Sequence, residues 1–296
     1  RGGSRGLDGA VSTPVPLQGA SLPASLWSDG IRTSIGPARS PLNGDIDVDV
    51  AIVGAGFTGL WTALYLQETD PSLRVAVIEA GVCGSGASSR NGGWCSAILP
   101  MSWARIARAS DATATREFQR AMFATVPAVL ADAARLGIDA RASHGGWIHG
   151  ATNPAHAGRL RAELEDARRW GFGEEDFRWL DREEARGRIA ADGLLGAIHS
   201  PHCAVLDPAR LVTGLAERVE RAGVAIHERT PVERIDGREL RTPHGTVRAE
   251  VVVRATEAYT ALLPGHERRV VPLYSMMIAT EPLADAVWDA IGWSGR

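Results

Sequence analysis

Gly54, Gly56 and Gly59 stand in GxGxxG spacing directly behind Val48 to Val53, an apolar run with the length and β-branched content of a buried parallel strand. Each glycine has its own physical task. Gly54 permits the tight turn out of the strand, Gly56 lets the backbone come close to a pyrophosphate, and Gly59 lets the next helix pack against the strand. The spacing predicts a helix from Phe57 to about Gln67, whose first N–H groups and positive dipole end face the phosphates. Ala55, Phe57 and Thr58 therefore join the glycines as candidate anion contacts. A second strand, Arg74 to Ile78, ends in Glu79, 20 positions beyond Gly59, with Ala80 after it. A carboxylate there accepts hydrogen bonds from a ribose hydroxyl and repels a 2′-phosphate. Strand, helix, second strand and acid in register read as a site for the ADP half of a dinucleotide. The alternative, a glycine-shaped turn beside a solvated carboxylate, must treat four spacings as coincidence.

The next stretch is made of small residues, Gly84, Ser85, Gly86, Ala87, Ser88 and Ser89, followed by Arg90, Asn91, Gly92 and Gly93. Small side chains leave backbone N–H groups free to face an anion, and Arg90 adds positive charge. An ordinary flexible loop is the competing reading.

With Glu79, the segments VAIVGAGFTGL, GSGASSRNGGW (84–94), HCAVLDPARLVTGLAERVERAGV (202–224) and VVVRATEAYT (251–260) together resemble the FAD-dependent oxidoreductases of the D-amino-acid oxidase type. That group includes glycine, sarcosine and γ-glutamylputrescine oxidases. The resemblance implies FAD as cofactor, with Ser88, Ser89 and Arg90 to Gly93 passing near its pyrophosphate and ring. It further implies that Val232 contacts the adenine through its backbone, and that Ala255 and Thr256 pass the cofactor. The activity implied is oxidation of the C–N bond of an amino acid or amine, with hydride moving to the flavin and then to oxygen or another acceptor. Arg90 is the candidate catalytic residue, as a charge stabiliser near the ring. Arg254 and Glu257 depart from the small or apolar residues common at these places, so Glu257 needs a partner near the phosphates, and Arg254 is the nearest candidate. Two alternatives remain: an FAD- or ADP-binding chain without turnover, and an NAD-dependent dehydrogenase, against which the Arg90–Gly93 loop speaks.

Elements must carry these residues. Apolar side chains at helical spacing, Phe118, Met122, Val126, Val129, Leu130 and Ala133, predict a long core helix from Asp111 to Leu136, kinked at Pro127 and closed by Gly137. Ile138 to Thr152 reads as extended, with His144, Trp147 and His149 more in keeping with packing than with substrate contact. Pro208 to Ala222 reads as a helix capped by Asp207, burying Leu211, Leu215 and Val219, and returning the chain to the nucleotide-binding sheet. A strand at Val224 to His227 and a meander turning at Asp236–Gly237 and His244–Gly245 follow, then a buried strand at Val251 to Val253. By resemblance, the run from Val270 is the first return strand of a substrate domain.

The fold class expected is α/β: a Rossmann-like FAD-binding domain (46–137 and 200–265) interleaved with an α+β substrate domain (138–199 and 266–296) whose C-terminal part is missing. Residues 1–45, rich in Gly, Ser and Pro, read as a flexible extension in which Leu26 and Trp27 offer either an apolar anchor on the body or an exposed tryptophan in a mobile tail. Relatives continue further and the chain starts at Arg1 without methionine, so a fragment at both ends is expected.

All 32 basic residues are arginine, which excludes a Schiff base on a lysine of this chain. The net charge of −3 and the pI near 6.3 argue against a nucleic-acid partner. No run of about 18 apolar residues predicts a membrane span, and no signal pattern opens the chain. Three cysteines, Cys83, Cys95 and Cys203, lack metal-ligand spacing, so no metal site is expected and the reading is cytoplasmic. Cys95, beside the small-residue loop, reads as a buried thiol rather than a flavin attachment point.

Overall fold

A computed structural model describes residues 22–29, 31 and 39–293. In chain order its elements are α1 (Leu26–Asp29), β1 (Ile46–Val53), α2 (Phe57–Thr69), β2 (Val75–Ile78), β3 (Trp94–Ser96), α3 (Trp103–Ala109), α4 (Ala112–Arg135), β4 (Trp147–Ala151), α5 (Pro154–Arg169), β5 (Arg178–Leu180), α6 (Arg182–Arg188), β6 (Gly196–Ser200), β7 (Cys203–Val205), α7 (Pro208–Arg221), β8 (Ala225–His227), β9 (Arg234–Asp236), β10 (Glu239–Thr242), β11 (Gly245–Arg254) and α8 (Asp285–Ile291). Two compact units share them. Of the described residues, the first comprises those up to 90 and 212–277, the second 91–211 and 278–293. The chain leaves the first unit at residue 90, where the sequence reading put the crossing at 137, so α4 belongs to the second unit.

The first unit is built on a six-stranded sheet of order β8-β2-β1-β11-β10-β9. β8, β2, β1 and β11 run parallel, and β10 and β9 extend the edge antiparallel. β1 sits in the middle because Val50 to Val53 are apolar on both faces, as a strand covered on both sides must be. Leu60, Ala63 and Leu64 of α2 and Leu215 and Val219 of α7 are buried as well. β11 corrects the expectation of a buried strand at 251–253. Val247 and Ala249 are buried, but β10 covers only Gly245 to Arg248, and Val251 is 53% exposed.

Residues 39–45 also correct an expectation, because part of the supposed loose extension is docked. Leu42 is buried, its N–H bonds Thr230 Oγ1 at 3.0 Å, and Asp45 accepts from Thr246 N–H and pairs with Arg248. Among the described residues 22–29 and 31, Leu22, Ser28 and Ile31 are buried, while Leu26 of the proposed anchor faces solvent. Two reciprocal backbone-to-hydroxyl bonds, Ser25 N–H to Ser28 Oγ and Ser28 N–H to Ser25 Oγ, close the α1 turn.

In the second unit, antiparallel β4-β6-β5 and the β3-β7 pair carry α3 to α6. α4 is the long helix expected, with Asp111 accepting from Thr113 and Ala114 N–H and Gly137 left-handed at φ 64°. Its buried face is different. Thr115, Gln119, Phe123, Val126 and Ala133 line it, and Phe118 lies outside. Polar Thr115 and Gln119 turn inward because both find partners there: Thr115 Oγ1 donates to Asp111 O, and Gln119 bonds Trp103 Nε1 and Ala97 O. Of Ile138 to Thr152, only Trp147 to Ala151 forms a strand. The run from Val270 is not a strand either. It has no ladder partner among the described residues, and Leu273, Met276 and Ile278 stand in solvent.

Candidate cofactor site

The chain turns at Gly54 with φ 106°, a conformation open to glycine, and a Cβ there meets Ala255 O at 2.5 Å. Ala255 N–H donates to Val53 O, so the ends of β1 and β11 are locked side by side. A Cβ on Gly59 runs into Gly54 O, which is the close strand–helix approach expected of the third glycine. Gly56 caps α2, leaving the first-turn N–H groups without intrahelical partners. One of them, Phe57 N–H, donates to Ser88 Oγ at 3.0 Å. Ser88 thus brings the small-residue loop onto the helix start, a contact that spacing 31 residues apart does not reveal.

Glu79 does more than face a ribose. Its Oε2 accepts from Ala55 N–H at 2.7 Å and its Oε1 from Gly81 N–H at 2.8 Å, so the acid holds the glycine turn to the end of β2. Burial pushes its carboxyl above the usual carboxylate range, against the pull of these N–H groups. Each oxygen keeps a second lone pair for a ligand hydroxyl.

The loop from Gly84 packs tightly, a Cβ on Gly84 meeting Val212. A short 3-10 turn, Ala87–Ser89, follows, in which Ser89 is fully buried. Ser85 and Ser89 hydroxyls are buried with no hydrogen-bond partner. Buried orphan hydroxyls cost stability unless a ligand satisfies them. Beside a glycine turn and a helix start, they fit the phosphate-bearing half of FAD. Arg90 is exposed, its Nε donating to Gly86 O at 3.1 Å and its Nη2 reaching Tyr259 Oη at 3.4 Å.

Asn91, Gly92 and Gly93 belong to the second unit. Asn91 Oδ1 accepts from Gly93 N–H, Gly93 is left-handed at φ 73°, and its carbonyl accepts from Leu206 N–H. Next along β3, Trp94 pairs with Val205 and both are exposed. Cys95 is half-buried against Phe123's cluster, and burial pushes its thiol up, away from the reactive thiolate. His144 bonds Pro201 O, Trp147 packs on the β4–α5 core, and the His149 ring meets that of His156 at 5.2 Å.

Val232 packs against the sheet core two residues beyond Thr230, whose N–H donates to Glu79 O. Thr256 Oγ1 bonds Thr260 Oγ1 at 2.7 Å. Arg254 Nη1 lies 2.8 Å from His266 Nδ1. Its bond to a histidine replaces the pairing with Glu257 that the sequence suggested, and Glu257 sits at φ 45°.

A family profile described as "FAD dependent oxidoreductase" matches residues 49–296. The γ-glutamylputrescine oxidoreductase of Escherichia coli is 30% identical over 253 residues, 82% of this chain and 57% of that protein. Glycine oxidase of Geobacillus kaustophilus is 33% identical over 222 residues, 73% of this chain and 56% of that protein. The crystal structure of that glycine oxidase superposes with a TM-score of 0.62 at 31% identity, covering 75% of this chain and 58% of that one. An L-proline dehydrogenase from P. horikoshii, 19% identical with a TM-score of 0.57 over 76% of this chain and 56% of that one, shares the fold. The chain spans between 56 and 59% of the length of the curated relatives it matches. Glycine turn, acid and sheet order agree with that match, and the chain belongs to the family of FAD-dependent oxidoreductases.

Proposed function

We propose that the protein oxidises the C–N bond of an amino acid or amine, passing the electrons through FAD to oxygen or another acceptor. The observation that carries this reading is the family match over 49–296, joined to a glycine turn whose neighbouring Ser85 and Ser89 hydroxyls are buried and unsatisfied. The names of the relatives, a glycine oxidase and a γ-glutamylputrescine oxidoreductase, support the substrate class.

In this reading Gly54, Ala55, Gly56, Phe57, Thr58 and Gly59 hold the pyrophosphate through backbone N–H groups and the dipole of α2. Glu79 and Ala80 receive the ribose, Val232 the adenine, and Ala255 and Thr256 flank the cofactor. Ser88, Ser89 and Asn91 to Gly93 complete its binding. When bound, FAD supplies the two-electron acceptor for a hydride leaving the carbon next to a neutral amine, and the imine formed hydrolyses in water. Arg90, anchored on Gly86 O, offers a fixed positive charge for the ring end.

The test is a visible spectrum of the purified chain with FAD, followed by anaerobic addition of primary and secondary amino acids and diamines. Bands near about 370 and 450 nm that bleach with one of these compounds are expected. Bands that no amine bleaches would make the chain a nucleotide-binding protein without turnover. A protein that takes up no FAD sinks the reading. Arg90→Gln should slow flavin reduction by on the order of tenfold or more while FAD uptake holds; unchanged reduction removes Arg90 from the mechanism.

A further inference from the structure

Arg39 stands apart from every motif, in a stretch of sequence without periodicity, yet its side chain is only 15% exposed. Its Nη1 donates to Glu228 Oε1 at 3.2 Å, and its Nη2 to Glu220 Oε2 at 2.6 Å. Glu228 is a buried carboxylate, 4% exposed, whose Oε1 also accepts from Cys83 N–H at 2.9 Å. A buried carboxylate needs a partner, and Arg39 is the closer of its two cations.

The turn that holds Glu228 is joined on both sides. Towards the end of β2, Arg229 N–H donates to Gly81 O at 2.8 Å, Thr230 N–H to Glu79 O at 2.8 Å, and Glu79 N–H to His227 O at 2.9 Å. Towards residues 39–42, Leu42 N–H donates to Thr230 Oγ1 at 3.0 Å and Arg229 Nη2 donates to Arg39 O. Arg229 itself is left-handed at φ 50°, a conformation that a non-glycine residue keeps only where its surroundings fix it.

We propose that the segment Arg39–Leu42 is part of the nucleotide site, and that Arg39, acting through Glu228 and the 79–83 turn, is a positioning residue for the Glu79 carboxylate. This rests on the reading that Glu79 receives the adenosine ribose. The electrostatics run the same way. Glu228 adds to the rise of the Glu79 carboxyl, after burial, so removing the Arg39 charge leaves the two acids with only the longer Arg229 pair, at 3.8 Å, to offset them. A protonated Glu79 loses acceptor capacity for the ribose.

The experiment uses the full chain and two probes, FAD and ADP, titrated calorimetrically. Arg39→Ala should weaken both by about the same factor, tenfold or more, because the loss lies at the adenosine end. Arg39→Lys should recover at least half of that loss on a logarithmic scale. In a Glu79→Ala background Arg39→Ala should add less than about twofold, since its effect runs through Glu79. The reduction potential of flavin at saturating FAD should not move.

ADP affinity within about twofold of the parent chain, a loss confined to FAD, or an undiminished loss without Glu79 overturns the proposal. Should Arg39→Ala fail to fold, Arg39→Met decides: it keeps the apolar stem and deletes the guanidinium that holds Glu228, and a tenfold loss supports the proposal where one under twofold sinks it. A parent chain that binds neither probe defeats the proposed function first, and is told apart from a parent that binds while the variants match it.

Discussion

The glycine turn of the first unit and the aromatic core of the second hold their shapes by opposite means. At the turn, backbone meets backbone: Gly54 against Ala255 O, Gly59 against Gly54 O, and N–H groups on Glu79 and Ser88. In the second unit, rings meet rings. Phe123 lies edge-on to Phe172 at 5.6 Å and to Phe177 at 5.8 Å, and stacks on His202 at 3.7 Å, with Trp103 against Phe172 at 5.0 Å. His202 is in turn fixed by Asp176 at 2.9 Å. The difference is one of tolerance. Backbone contacts admit a single residue type, whereas ring packing admits many residues that fill the same volume.

The largest effect should come from the rings. Phe123→Ala opens a cavity among Phe172, Phe177 and Val126 and should cost about 3–5 kcal/mol. Phe118→Ala, five residues earlier on the same helix and 48% exposed, should stay within about 0.5 kcal/mol. Urea unfolding of both variants checks this. Equal losses would mean that Phe118 is packed in the core as Phe123 is, on the face of α4 expected from spacing. Phe123→Leu should recover much of the loss, which no substitution at Gly54 can do.

At the turn, Gly54→Ala should cost about 1–3 kcal/mol for the left-handed backbone alone, and more for the contact with Ala255 O. Gly56→Ala is the sharper probe. Its φ of −85° suits alanine, and the added methyl meets only Ser88 Oγ, at 2.8 Å, which can rotate away. Folding should therefore survive, and FAD affinity should fall by on the order of tenfold or more as the methyl enters the phosphate approach. A Gly56→Ala chain that binds FAD like the parent would mean the pyrophosphate does not lie against this turn.

The same contrast explains what could be read in advance. Gly54, Gly56, Gly59 and Glu79 were legible because each answers a local geometric demand at fixed spacing, and α7 was legible because Asp207, Pro208 and Gly223 punctuate it. The face of α4 was not, because Thr115 and Gln119 are drawn inward by partners at Asp111, Trp103 and Ala97 that no window of the helix contains. The bond of Ser88 to Phe57, and the parts played by Arg39 and Glu228, were not legible for the same reason: the partners lie 31, 189 and 145 residues away. The strand expected at Val270 failed differently. Its β-branched run has the composition of a strand, but a strand needs a neighbour to hydrogen-bond, and none is present among the described residues.

The smallest effect compares the two sheets through their histidines. His227 of β8 is held below the ordinary histidine value by burial, with a bond to the Pro41 backbone opposing. His199 of β6 is lowered by burial first and by the charges of Arg188 and Arg178 after it. In each case the folded chain binds protons less readily than the unfolded one. The stability they contribute is complete above about pH 6.5 and is lost as the pH falls through the lowered folded values. The loss is at most about 1.4 kcal/mol per pH unit for each histidine. Melting measured from about pH 7.5 to about 5.5 should show a decline that His227→Gln and His199→Gln each make shallower. Because Arg178 and Arg188 face His199 while His227 has a backbone acceptor, the second unit's histidine should respond to salt and the first unit's should not. A decline of unchanged slope in the double variant would assign the acid limb to carboxylates instead.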